Sequence, residues 1–150
     1  MGLDMYLNAE LYVSDYKDED KPLEEAIKEN VPGGLGKFRP KNVTFELAYW
    51  RKANAIHNWF VQNVQEGKDD CGDYYVSLEK LKELKETCEK VLDNPKLAGE
   101  LLPSVKGFFF GSYTYDEYYE RDLERTVKAL DKIISNPDAK NWWITYTSSW

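Results

Sequence analysis

The sequence predicts an α+β fold: a small antiparallel or mixed sheet, its N- and C-terminal strands paired, packed against three main helices. Three observations predict it. Apolar and polar residues alternate near both ends of the chain. Between them, apolar residues recur at helical spacing, and glycine or Asn-Pro punctuates the helical stretches.

The first strand is the clearest element. Leu3, Met5, Leu7, Ala9, Leu11 and Val13 fall on one face, with Asp4, Tyr6, Asn8, Glu10 and Tyr12 on the other. Ser14 to Glu29 is rich in charge, and a short helix is expected around Pro22 to Lys28. Gly33, Gly34 and Gly36 between Pro32 and Pro40 require a loop. Val43 to Leu47 reads as a second, short strand. From Tyr49 to Gln65 the period becomes helical, with Ala53, Ile56, Phe60 and Val64 in a stripe that Gly67 ends. Ser77 caps the next helix, whose stripe is Leu81, Leu84, Cys88 and Val91 or Leu92 and whose end is Asn94-Pro95. Leu97 to Leu102 reads as a helical turn, and Gly107 to Ser112 as a short strand or extended turn. Thr114-x-x-Glu117 has the form of a capping box opening a third long helix through Tyr115, Tyr119, Leu123, Thr126 or Val127, Leu130 and Ile133 or Ile134 to Asn136-Pro137. Trp142 to Tyr146 alternates again, a strand able to return beside the first.

A chain of 150 residues is large enough to bury a core without metal or disulfide, and no linker divides it, so residues 1–150 are expected to form a single domain. The formal net charge of -7 argues against binding to nucleic-acid backbones. No run of 18 apolar residues is present, so no membrane partner is expected. The start lacks a secretory pattern, and Cys71 and Cys88 read as reduced thiols, which together imply a cytoplasmic location. With a single histidine and dispersed cysteines, no zinc site and no cofactor are expected.

Charge is unevenly spread. Between Pro32 and Asn54, five cations (Lys37, Arg39, Lys41, Arg51, Lys52) face the single acid Glu46. Gly33-Gly34-Leu35-Gly36-Lys37 lacks the P-loop spacing and precedes a strand rather than a helix, so a plain loop explains it better than a phosphate cradle. Two other stretches concentrate unusual residues. In Tyr49 to Phe60, Arg51, Asn54 and Asn58 are three and four apart, and asparagine is a poor helix former, so these side chains are expected to hydrogen-bond a ligand or a neighbouring loop. His57 lies at the edge of the apolar stripe, where a lone histidine is more often a satisfied core residue than a ligand. In Phe108 to Tyr119, an aromatic run meets a helix N-terminus through Gly111 and Ser112, a setting for simple capping or for the wall of an anion pocket.

These blocks resemble a family of small proteins encoded by bacteriophages, prophages and their bacterial hosts. The similarity rests on Met1-Gly2-Leu3-Asp4-Met5-Tyr6-Leu7, on Tyr49-Trp50-Arg51-Lys52-Ala53-Asn54 with Ile56-His57 and Trp59-Phe60, and on Phe108 to Ser112 followed by Tyr115-Asp116-Glu117. It covers most of the chain apart from Ser14 to Lys41 and the last dozen residues. The resemblance carries no reaction and no catalytic residue. It implies a setting, a viral accessory protein in the bacterial cytoplasm that counters host defence.

The expectation is therefore a non-catalytic binder of a small anionic, nucleotide-derived ligand. Arg51 and Lys52 would pair with phosphate, Asn54 and Asn58 would bond base or ribose, and Trp50 and Tyr115 would stack, with His57, Ser112 and Asp116 completing the set. The alternative is an acidic protein–protein inhibitor of a host defence factor. A third, weaker reading is a small phosphoester-acting enzyme with His57 as general acid–base. The aromatic closing segment, Trp142 to Trp150, suggests a homodimer.

Overall fold

Alternation produces the first strand, β1 (Asp4–Tyr12): Met5 and Leu7 are fully buried while Asp4, Tyr6 and Asn8 are only half-covered. A computed structural model describes residues 2–107 and 110–150. β2 (Asn42–Arg51), β3 (Tyr74–Tyr75) and β4 (Trp143–Ser149) complete an antiparallel four-stranded sheet in the order β2-β1-β4-β3. The N- and C-terminal strands are thus paired, and the α+β class stands. β4 lies inside the sheet, with Tyr74 opposite Tyr146 and Tyr75 opposite Thr145 on its outer side.

The chain divides into two compact units, Met1–Ala9 with Glu46–Trp150, and Glu10–Phe45. In the larger unit, α2 (Asn54–Asn63), α3 (Leu78–Asp93), the short α4 (Ala98–Leu101) and α5 (Glu117–Ile134) supply one apolar cluster with the buried face of the sheet. Leu81, Leu84 and Cys88 of α3 meet Leu123, Leu130 and Ile133 of α5, the stripes that 3.6-residue spacing requires. Phe60 and Tyr146 stack at 3.9 Å between ring centroids, 7° from parallel, at the centre of this cluster. On the sheet's other face, Tyr6 lies against Tyr49, and Tyr75 against Trp143.

In the smaller unit, α1 (Lys21–Asn30) is followed by Gly33 and Gly34 at φ of 72° and 78° and by a tight turn over Leu35–Lys37. A side chain at Gly36 would stand 2.3 Å from the Lys28 carbonyl oxygen, so only glycine lets the loop fold back on α1. Arg39, one of the five cations of the basic window, donates to the Val13 carbonyl at 2.7 Å and pairs with Asp15 at 3.3 Å. This loop behaves as a structural turn.

Several boundaries differ from the sequence reading. Tyr49–Arg51 extend β2 instead of opening a helix, and Lys52 then turns the chain at φ 58° before α2 begins at Asn54. Trp50 and Ala48, both buried, alternate with exposed Tyr49 and Arg51, a period-two pattern hidden inside what reads as a helical stripe. The cap of α5 is Asp116 rather than Thr114, its carboxylate accepting from the Tyr118 and Tyr119 N–H groups. β3 has no sequence expectation at all, and Leu11, expected inside, is 45% exposed. Phe108 and Phe109, within the expected strand or turn at Gly107 to Ser112, lie outside the described residues.

Candidate functional site

A cleft of about 320 Å³ opens where the β2–α2 turn meets the loop before α5 and the first two turns of α5. It brings together Arg51, Lys52, Asn54, Ser112 and Asp116 of the expected residues, and leaves out Trp50, His57, Asn58 and Tyr115.

The floor is the first turn of α2. Its cap position is Ala53, which has no side chain able to accept, and Ala53, Asn54, Ala55 and Ile56 all line the cleft. The His57 N–H closes the first helical bond onto the Ala53 carbonyl, and the Asn54 N–H turns back to the Lys52 carbonyl. The N–H groups of Ala55 and Ile56 stand before that first bond and, among the described residues, find no acceptor outside the helix. A helix end of this kind concentrates partial positive charge.

Cations surround it. Arg51 and Lys52 come from the end of β2, and Arg121 and Arg125 from α5, all four lining the cleft of a protein whose net charge is -7. Among the described residues, Lys52, Arg121 and Arg125 have no carboxylate within salt-bridge distance, and Arg51 reaches Asp4 only at 4.0 Å. Arg121 places its guanidinium 5.6 Å from the Tyr118 ring centroid.

Two acids share the cleft, and they differ. Asp116 is occupied: it caps α5 and accepts the Thr114 hydroxyl at 2.7 Å, which in turn meets Ser112 Oγ at 2.8 Å. The Thr114 hydrogen bond, followed by the Tyr119 N–H, holds its carboxyl below the usual range. Asp122 is half-buried on α5. Burial, only partly opposed by Arg125, pushes its carboxyl up to about 6.

Asn54 is buried, and its polar atoms are spent on the neighbouring loop rather than offered to a ligand. Its amide donates to the carbonyls of Phe110 at 3.1 Å and Ser112 at 2.7 Å, and its oxygen accepts from the Val105 N–H at 3.0 Å. It is therefore corrected from ligand contact to loop anchor. Trp50 is likewise a core residue, 3% exposed, with its N–H on Thr126 Oγ1 at 2.8 Å and its ring against Phe60. Tyr115 faces Tyr119 edge-on outside the cleft and accepts the Ser104 N–H. Asn58 is half-buried and lines no part of it.

His57 sits in the core with no exposure. Nδ1 is 2.7 Å from the Tyr146 hydroxyl, and Nε2 is 3.0 Å from Asp69 Oδ1, off the line that a hydrogen bond requires. Asp69 also accepts the Trp150 indole N–H at 3.1 Å, so the array ties α2 to both the segment before β3 and the end of the chain. Burial raises the Tyr146 hydroxyl well above its ordinary value, keeping it neutral. The sequence reading missed Arg121, Asp122, Arg125 and Tyr118. Their spacing on α5 places Tyr118, Asp122 and Arg125 along one face, but nothing in the sequence says that this face meets the β2–α2 turn.

Among the described residues, no group of three or more His, Cys, Asp or Glu side chains is gathered as metal ligands, and no helix is long and apolar enough to cross a membrane. No family model, curated protein or solved structure matches the chain.

Proposed function

We propose that this protein binds a small phosphate-bearing anion in the cleft between the start of α2 and α5, holding it without transforming it. In the setting implied by the family resemblance, the ligand is a nucleotide-derived host signal that an accessory protein of a bacterial virus sequesters. The observation that carries the reading is the bare N-terminus of α2 ringed by Arg51, Lys52, Arg121 and Arg125 in an otherwise acidic chain. Uncapped N–H groups and unpaired guanidinium groups supply what a phosphate needs: oriented donors and positive charge. The volume sits at the small end of ligand sites, which suits a mononucleotide-sized anion. The enzyme reading loses its general acid–base, because His57 is buried in the core and takes no part in the cleft.

The test is calorimetric titration with nucleoside monophosphates, comparing the native protein with Lys52→Ala and Arg125→Ala. Binding that each substitution weakens roughly tenfold or more supports the site. Binding unchanged in both variants rejects it.

A host protein as partner is the second reading. It is favoured by the adjoining Tyr75 and Trp143, their rings tilted at 33°, each more than half exposed on the sheet face opposite the core. Loss of a host-protein interaction in Trp143→Ala, with nucleotide binding absent, would favour it over the cleft.

A further inference from the structure

Among the groups of the cleft that phosphate binding does not use, Asp122 has no partner of its own. It lines the cleft from α5, half-buried, and among the described residues its carboxylate has no hydrogen-bond donor and no cation within 4.0 Å. Arg125 and Arg121 act on it through space, as does Asp116, but none is paired with it. An acid in an anion site repels the ligand it shares the site with, so its presence calls for a hydrogen-bond donor on that ligand. A carboxylate offers two acceptor oxygens and no donor.

Among the bases, only guanine meets that pattern with two adjacent N–H groups. Its N1–H and N2–H lie side by side and parallel, matching the two carboxylate oxygens. Adenine and cytosine each place a ring-nitrogen acceptor beside their amine, and uracil flanks its one N–H with two carbonyl oxygens. Each of these would set an acceptor against the Asp122 charge. The same helix face supplies a stacking surface. Tyr118 lines the cleft and is 63% exposed, with the Arg121 guanidinium over one face of its ring, and it precedes Asp122 by four residues, about one helical turn or roughly 6 Å along the axis. A base laid against Tyr118 would present its edge toward Asp122, leaving the phosphate for Lys52 and the start of α2.

We propose that the cleft is selective for guanine nucleotides, with Tyr118 stacking the base and Asp122 reading its N1–H and N2–H edge. This rests on the anion-binding reading above, and the experiment separates the two. Calorimetric titration at pH 7.5 in phosphate-free buffer uses 5′-guanosine, 5′-inosine and 5′-adenosine monophosphates. Inosine differs from guanosine only by lacking the N2 amine. The guanosine nucleotide should bind roughly ten- to hundredfold more tightly than the inosine one, the range for a hydrogen bond to a charged group. Asp122→Asn, checked for folding by its melting curve, should bring the two within about threefold.

Equal affinity for all three nucleotides in the native protein overturns the guanine assignment while leaving anion binding intact. No binding of any of them overturns both. A guanosine preference that survives in Asp122→Asn overturns the role of Asp122. Titration with 3′,5′-cyclic guanosine monophosphate beside the 5′-monophosphate distinguishes a diester from a monoester source. Tighter binding of either than of its inosine counterpart sustains the assignment.

Discussion

Replacing Asp122 by asparagine should stabilise the ligand-free protein, and only above a definable pH. Folding half-buries this carboxyl without giving it a partner, and burial raises it from the ordinary 3.8 to about 6. Between those values the native state binds more protons than the unfolded chain. Stability therefore falls as pH rises through that window, and the loss is complete above about 6. That rise corresponds to roughly 3 kcal/mol at most, and partial solvent access brings the expected figure to about 1–3 kcal/mol. Asparagine has nearly the same shape and no charge to desolvate. At pH 7.5 in phosphate-free buffer, Asp122→Asn should melt roughly 2–12 °C above the native protein, at about 2–4 °C per kcal/mol for a chain of this size. At pH 4, where the native carboxyl is largely protonated, the two should melt nearly together. A difference of the same size at both pH values would refute the reasoning, because the effect would then not come from charge burial. So would a variant less stable than the native protein at pH 7.5.

Other perturbations test the rest of the site. Asn54→Ala removes three hydrogen bonds that hold the loop before α5 and leaves buried groups unpaired, so it should cost about 2–4 kcal/mol and increase cleavage at Val105–Lys106 and Gly111–Ser112 in limited proteolysis. Tyr146→Phe deletes the hydroxyl partner of His57 Nδ1 while keeping the stacked ring, and should cost about 1–2 kcal/mol by chemical denaturation without altering anion affinity. Cys88 is buried and its thiol is pushed up to about 12 by that burial, whereas Cys71 is exposed, so a disulfide reagent should titrate one thiol in the native protein and two after unfolding.

How far the sequence could be read depended on whether the information was local. β1 was legible because its alternation runs unbroken over Leu3, Met5 and Leu7, and α3 because Ser77 and Asn94-Pro95 mark its ends. The β2–α2 junction was not, because Trp50, Ala53 and Phe60 serve one core from two kinds of element, and their spacing alone mimics a helix. The left-handed Lys52 that separates those elements has no side-chain signature, since glycine or asparagine would be the ordinary choice there. The loop on Asn54 was foreseen as one of two alternatives, and the structure selects it. Arg121, Asp122 and Arg125 looked like the solvated face of an amphipathic helix. They become a site only through the tertiary contact that lays α5 beside the β2–α2 turn, which no local pattern encodes.

The two helix N-termini around the cleft show why the candidate site and the scaffold are separable. At α5 the chain supplies Asp116 as a cap, and Thr114 and Ser112 hold that carboxylate in place. At α2 the equivalent position is Ala53, which leaves the Ala55 and Ile56 N–H groups open where a serine or aspartate would be more stable by about 1 kcal/mol. The same stretch of chain joins both ends. Asn54, the first residue of the uncapped helix, holds the Phe110 and Ser112 carbonyls, and Ser112 begins the chain of hydroxyls that fixes the cap of α5. Thus the residue expected to touch a ligand instead sets the distance between the open N-terminus of α2 and the cationic face of α5. Asp122, left charged and unpaired on that face, opposes stability in the same way as the missing cap. Both costs fall inside one cleft, and the occupant proposed above, an anion at one end that carries N–H donors at the other, would relieve both.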